Sequence, residues 1–211
     1  MITRHPYGLR HFFTAALYCL ITALTAAPTF ATSPDEAHAF VDGIASKALA
    51  VIADKALSKE QKQSKLEKIL GGGVDIPWVG RFTLGHTWRE ATEDQRKRYL
   101  KEYESFWVKH YASRFAEYSG GDYKITGIEE DDGQYTVKMT MTSTEDHKDV
   151  QVEYRLHLDD AKQLKIFDVV VENVSMITTQ RAEFASVVSN KGLDYLIDQL
   201  AHRSLEVNNP S

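Results

Sequence analysis

An α+β fold is predicted by the order of periodicities along the chain: helical spacing, then a run of strand-like segments, then helical spacing again. Two observations support it. Between Ala91 and Tyr118, the residues Tyr99, Tyr103, Phe106, Trp107, Tyr111, Phe115 and Tyr118 recur mostly at steps of three or four, which on a helix makes one aromatic stripe. Further on, Tyr135, Val137, Met139 and Met141 alternate with Thr136, Lys138, Thr140 and Thr142, and Val150 to Leu158 alternate in the same way. Period two with one polar side marks antiparallel strands with one wet face. The expectation is a curved antiparallel four-stranded sheet with helices on its apolar face.

The elements follow in order. Residues 35–56 place Phe40, Val41, Ile44, Ala48, Leu49 and Ile52 at helical spacing. Ser58 with Gln61 has capping-box spacing and opens a second helix that Gly71–Gly73 should end. Asp75 and Gly85 bracket a short helix. Thr92 with Gln95 opens the long helix, which should run to about Tyr118 and stop at the following glycines. Strands are expected over 123–131, 134–143, 149–159 and 164–174, the first pair joined at Asp132-Gly133, a strong hairpin signal. The last strand is the most uniformly apolar and should be the most buried. Helices over 176–188 and 191–202 close the chain, separated by Asn190 through Gly192.

The first 31 residues read as a leader rather than as part of the fold. Arg4 and Arg10 precede a short apolar run, and small residues at Thr29 and Ala31 suit cleavage after Ala31. Cys19 is the single cysteine, so the mature chain holds none. An exported protein without disulfides fits a bacterial periplasm, where it relies on its core. Residues 1–31 contain two basic and no acidic residues, so the mature chain has 23 basic and 30 acidic residues and a net charge of −7. That balance argues against nucleic acid, which calls for a basic patch, and against lasting adsorption to anionic membranes.

A search for chemistry returns little. Six histidines follow the leader (His38, His86, His110, His147, His157 and His202), none paired at metal-ligand spacing, and all read as structural or solvated. No nucleophile elbow and no phosphate loop occur. Arg81, Arg155 and Arg181 are plain candidates for ion pairs and sharper ones for a phosphate. Asp168 is the exception, a carboxylate within the apolar strand "KIFDVVV". It must find a partner or take up a proton. One reading pairs it with an arginine or backbone amides. The other makes it the general base of an isomerase or hydratase on a cone-shaped α+β pocket, as a ketosteroid-isomerase-like enzyme would use it. The aromatic stripe is likewise open between a filled core and a lining for something carried.

Two blocks carry a family resemblance. Arg81, Leu84, Gly85, Trp88, Ala91, Thr92 and Gln95, followed by the aromatic helix, resemble the R-x-x-L-G-x-x-W-x-x-A-T-x-x-Q pattern of the MlaC/toluene-tolerance family. Asp168, Val169, Val174, Ser175, Arg181, Phe184, Gly192, Leu196 and Ile197 resemble its second block. Asn173 stands where that family usually has Gly, and Thr179-Gln180 where many members have Asn-Tyr. The second departure leaves a hopanoid-linked branch open as an alternative. The resemblance implies a nuclear-transport-factor-like (NTF2-like) sheet plus an N-terminal helical subdomain. It also implies a periplasmic lipid carrier, an auxiliary component of an ABC transport system, with phospholipid as cargo and no cofactor. Its partners would be an inner-membrane ABC transporter complex with its membrane-anchored substrate-binding subunit, and an outer-membrane lipoprotein complex.

On that reading the chain divides into a signal peptide (1–31), one lipid-binding domain (32–205) and a flexible tail (206–211), and is expected to be a monomer. The domain comprises a helical part (35–118), the sheet (122–172) and closing helices (176–203). Tail contacts are expected from Trp78, Phe82, Phe106, Tyr111, Met139, Tyr154, Leu156, Val169, Val174 and Met176. Val137, Met141 and Val152 come next, and Val170 is the substitute for Val169 if the strand register differs. A purely structural adaptor with a solid interior remains a third reading.

Overall fold

Capping chemistry sets most helix starts. The computed structural model describes residues 32–117, 121–143 and 148–206. The leader, Tyr118, His147 and the tail beyond residue 206 lie outside them. Helix α1 (Pro34–Ala53) begins at Ser33, whose hydroxyl accepts from the Glu36 amide at 3.2 Å while the Glu36 carboxylate accepts from the Ser33 amide at 3.0 Å. It stops three residues before the expected end, because the Asp54 side chain accepts from the Ala56 amide at 2.9 Å and turns the chain away. Helix α2 (Lys59–Gly73) has the Ser58/Gln61 box. It runs through Gly71–Gly73 instead of ending there. Packing explains this: a Cβ at Gly73 would lie 2.7 Å from Ile44 Cδ1, so the bare backbone lets α2 meet α1.

Helix α3 (Ile76–Leu84) is capped by Asp75, which accepts from the Trp78 amide at 3.0 Å, and ends at Gly85 with φ +58°. A short helix α4 (His86–Glu90), not expected from the periodicity, fills the gap to α5 (Glu93–Glu117). The Thr92/Gln95 box at the start of α5 is formed, with bonds of 3.1 and 3.2 Å.

The sheet is antiparallel, in the order β1 (Gly121–Asp131), β2 (Gln134–Ser143), β3 (Asp149–Leu158), β4 (Leu164–Val171) and β5 (Val174–Ser175). It has five strands rather than four. The last expected strand bends back on itself because Glu172 and Asn173 both take positive φ (47° and 64°), which makes a hairpin turn pairing Val171 with Val174. Asp132 (48°) and Gly133 (74°) do the same between β1 and β2. Irregularities at Ile125/Gly127 and Arg155/Leu156 bend the sheet. Helix α6 (Met176–Lys191) follows with Ser175 as cap, and Gly192 alone separates it from α7 (Leu193–Glu206).

Two clusters hold the molecule. The larger joins the inner sheet face (Tyr135, Val137, Met139, Leu156, Ile166) to Ala37 and Val41 of α1, to α3, the first half of α5, α6 and α7. The smaller is helical: Ala48, Ile52, Leu66, Leu70 and Ala112, from α1, α2 and α5. Trp107 touches both. β4 is not buried throughout. Ile166, Asp168 and Val170 are buried, whereas Phe167, Val169 and Val171 are partly open, for a reason given by the site.

Tyr99 and Tyr103 are fully buried and stacked at 5.5 Å, with Phe184 edge-on to both. A Cβ at Gly80 would stand 2.9 Å from the Tyr103 ring, which has nowhere to move. Gly80→Val should therefore lower the unfolding free energy by about 2 kcal/mol, despite the better helix propensity of valine. Urea denaturation measures this; an unchanged midpoint would contradict the tightness of that contact.

Candidate functional site

The partly open residues of β4 face a cavity of about 220 Å³ between the helical cluster and the sheet. Helix α1 contributes Val41, Ile44, Ala45, Ala48, Leu49 and Ile52; α2 adds Leu70; and α5 adds Trp107, Tyr111 and Phe115. The sheet contributes Tyr123, Met139, Met141, Tyr154, Ile166, Phe167, Val169 and Val171, and α6 contributes Met176, Ile177 and Gln180. A 150 Å³ cavity of similar lining is known to stay dry and admit benzene, so this one has room for about ten carbons.

The aromatic stripe of α5 thus divides. Tyr99, Tyr103 and Phe106 go into solid core, while Trp107, Tyr111 and Phe115 line the cavity. Among the expected contacts, Tyr111, Met139, Tyr154, Val169 and Met176 line it, as does Met141. Five others stand elsewhere. Trp78 stacks on Phe82 at 5.3 Å and meets Phe167 and His157 edge-on, behind the wall rather than in it. Phe82 lies beneath the Arg181 guanidinium at 4.9 Å. Phe106 is buried and stacked on His110. Leu156 is fully buried, paired across the sheet with Tyr135 and Ile166. Val174 is half exposed on β5, because the hairpin carries it away. Val137, Val152 and Val170 are buried but outside the lining. The α1 wall was missed, although its apolar spacing was plain in the sequence; that spacing is equally consistent with ordinary core.

Asp168 reaches the lining, but its oxygens are engaged. Oδ2 accepts from Ser175 Oγ at 2.8 Å and forms a long ion pair with Arg155 Nη1 at 3.4 Å; Oδ1 accepts from the Ile177 amide at 3.3 Å. Asp75 likewise caps α3 with one oxygen and bonds His157 Nε2 at 2.9 Å with the other. Burial, helped by nearby Arg114 and Arg203, lowers the pKa of His110. Burial pushes the Tyr154 hydroxyl up to about 12. Arg81 is exposed. Among the described residues, no cluster of His, Cys, Asp or Glu could hold a metal ion, and no helix is long and apolar enough to cross a membrane.

A family model described as "MlaC protein" matches residues 42–202, well over half of the chain. The chain belongs to the MlaC family. Its cavity-lining residues from Ile44 to Gln180 all fall within the matched span. Among solved structures, a protein from Ralstonia solanacearum described as phospholipid-binding and in complex with a phospholipid superposes with a TM-score of 0.68. The two are 20% identical, and the match covers 81% of this chain and 98% of the other. That likeness establishes the MlaC-like α+β fold for this chain.

Removing the Asp168 carboxylate strands the Ile177 amide in a buried place. Asp168→Ala should cost about 2–3 kcal/mol of stability. Thermal and urea unfolding check this; a variant as stable as the parent would show the carboxylate to be held for some other task.

Proposed function

We propose that this MlaC family member is a periplasmic phospholipid carrier. It would move lipid between the outer membrane and an inner-membrane ABC transporter, so maintaining outer-membrane lipid asymmetry, and it would not be an enzyme. The observation that carries the reading is the cavity between two layers, lined almost wholly by hydrocarbon and aromatic side chains. Family membership and the phospholipid-binding neighbour of the same fold support it. The leader-like first 31 residues support export.

The physics suits the task. Two tails of about 15 carbons represent on the order of 20–25 kcal/mol of hydrophobic free energy, at about 0.8 kcal/mol per methylene. Such a lipid cannot cross water unaided. A cavity of about 220 Å³ does not take two whole tails, so loading requires the walls to part or the tails to run out through an opening. Dispersed apolar contacts without an ionic clamp also let the cargo leave when a partner opens the walls. Asp168 supports the isomerase alternative poorly, since both of its oxygens are held by structural donors.

Ala45 lines the cavity and is only partly buried. Ala45→Phe would fill space without adding charge. Phospholipid recovered with the purified protein should fall to under a tenth of the parent's, with the melting temperature changed by only a few degrees. Unchanged lipid content would place the cargo elsewhere.

A further inference from the structure

Among the polar groups of the lining, Tyr123 and Asp168 are committed, whereas the Trp107 indole and the Tyr111 hydroxyl, like Tyr154, have no hydrogen-bond partner among the described residues. Tyr123 donates to Asp42 Oδ1 at 2.7 Å, and Asp168 is held as described. Gln180 Oε1 accepts from the Tyr103 hydroxyl at 2.5 Å, which leaves its amide hydrogens uncommitted among the described residues. The Tyr154 hydroxyl also has no hydrogen-bond partner among the described residues, and burial is the one influence on its titration. Tyr154 stands on β3 between Val137 of β2 and Val169 of β4. No sealed side-chain N or O atom lacks a partner among the described residues, so this hydroxyl, on a residue that lines the cavity, is not walled in. Burial also raises the pKa of the Tyr111 hydroxyl, with Arg114 and Glu183 as smaller, opposing influences.

A donor facing an apolar space is costly unless its guest brings an acceptor. Plain hydrocarbon and fused-ring lipids bring none at that depth, whereas a tail joined through an ester brings a carbonyl. We propose that Tyr154, with the Gln180 carboxamide as a second donor, is a specificity residue that binds the ester carbonyls of a diacyl lipid within the cavity. This rests on the carrier reading and narrows it to ester-linked lipid.

The test is competitive loading of the full mature chain with diacyl phosphatidylglycerol and its di-O-alkyl ether analogue of equal chain length, read by native mass spectrometry. The parent should favour the ester about fivefold, the usual worth of one neutral hydrogen bond. Tyr154→Phe keeps the ring and should bring the ratio close to one while still taking up lipid; Gln180→Met should reduce it in part. Equal loading of both lipids by the parent, or an unchanged ratio in Tyr154→Phe, overturns the inference and leaves the carrier reading standing. If Tyr154→Phe does not fold, the parent's ratio and Gln180→Met decide. Loading of neither lipid by the parent brings down both.

Discussion

The stacked pair Tyr99 and Tyr103 anchors α5, and the cavity depends on where that anchorage ends. Over its first half, α5 is clamped by Phe184 of α6, Thr83 of α3 and the apolar face of α7. The Tyr99 hydroxyl and Thr83 Oγ1 lie 3.0 Å apart, so the clamp is satisfied as well as tight. One turn beyond Phe106 the same stripe leaves that core and joins the α1–α2 pair. The aromatic faces of Trp107, Tyr111 and Phe115 then have the helical cluster on one side and the cavity on the other.

The helical layer meets the sheet through Ala37 and Val41 of α1, which are buried in the larger cluster, and through polar contacts around the apolar middle. Tyr123 bonds Asp42, the Tyr135 hydroxyl donates to the Thr32 carbonyl, and Lys165 donates to the Gly72 carbonyl at 2.7 Å. Each such bond contributes about 1 kcal/mol net. Ties of that size help hold the two layers in register. Ile44 lines the cavity and also a second depression of about 460 Å³ between α1 and α2, resting against Gly73 where no Cβ blocks it.

Much of the fold was legible. The three capping boxes and caps at Ser58, Asp75 and Thr92, the Asp132-Gly133 hairpin and the strict alternation of β2 and β3 are local signals, and each formed as its chemistry dictates. The glycines at 71–73 misled because a tertiary contact overrode their helix-ending tendency. The fifth strand was hidden in a turn made by Glu172, a residue with no preference for positive φ. At the site, alternation put Met139, Met141 and Tyr154 on the inner face, and that face holds the cavity. What periodicity does not give is depth. Leu156 and Met139 share a face, yet one packs against Tyr135 and Ile166 and the other looks into open space. The irregularity at Arg155/Leu156 likewise decides that Val169 and not Val170 lines the wall, and no sequence signal marks it.

The account holds that the apolar lining between the helices and the sheet is completed by lipid tails. Native mass spectrometry of the protein, expressed with its full sequence and purified without detergent, tests this most directly. The account predicts a species heavier than the mature polypeptide by one intact phospholipid, which fragments to ester-linked acyl chains. A mass equal to the bare polypeptide, with no lipid in an organic extract, would contradict it.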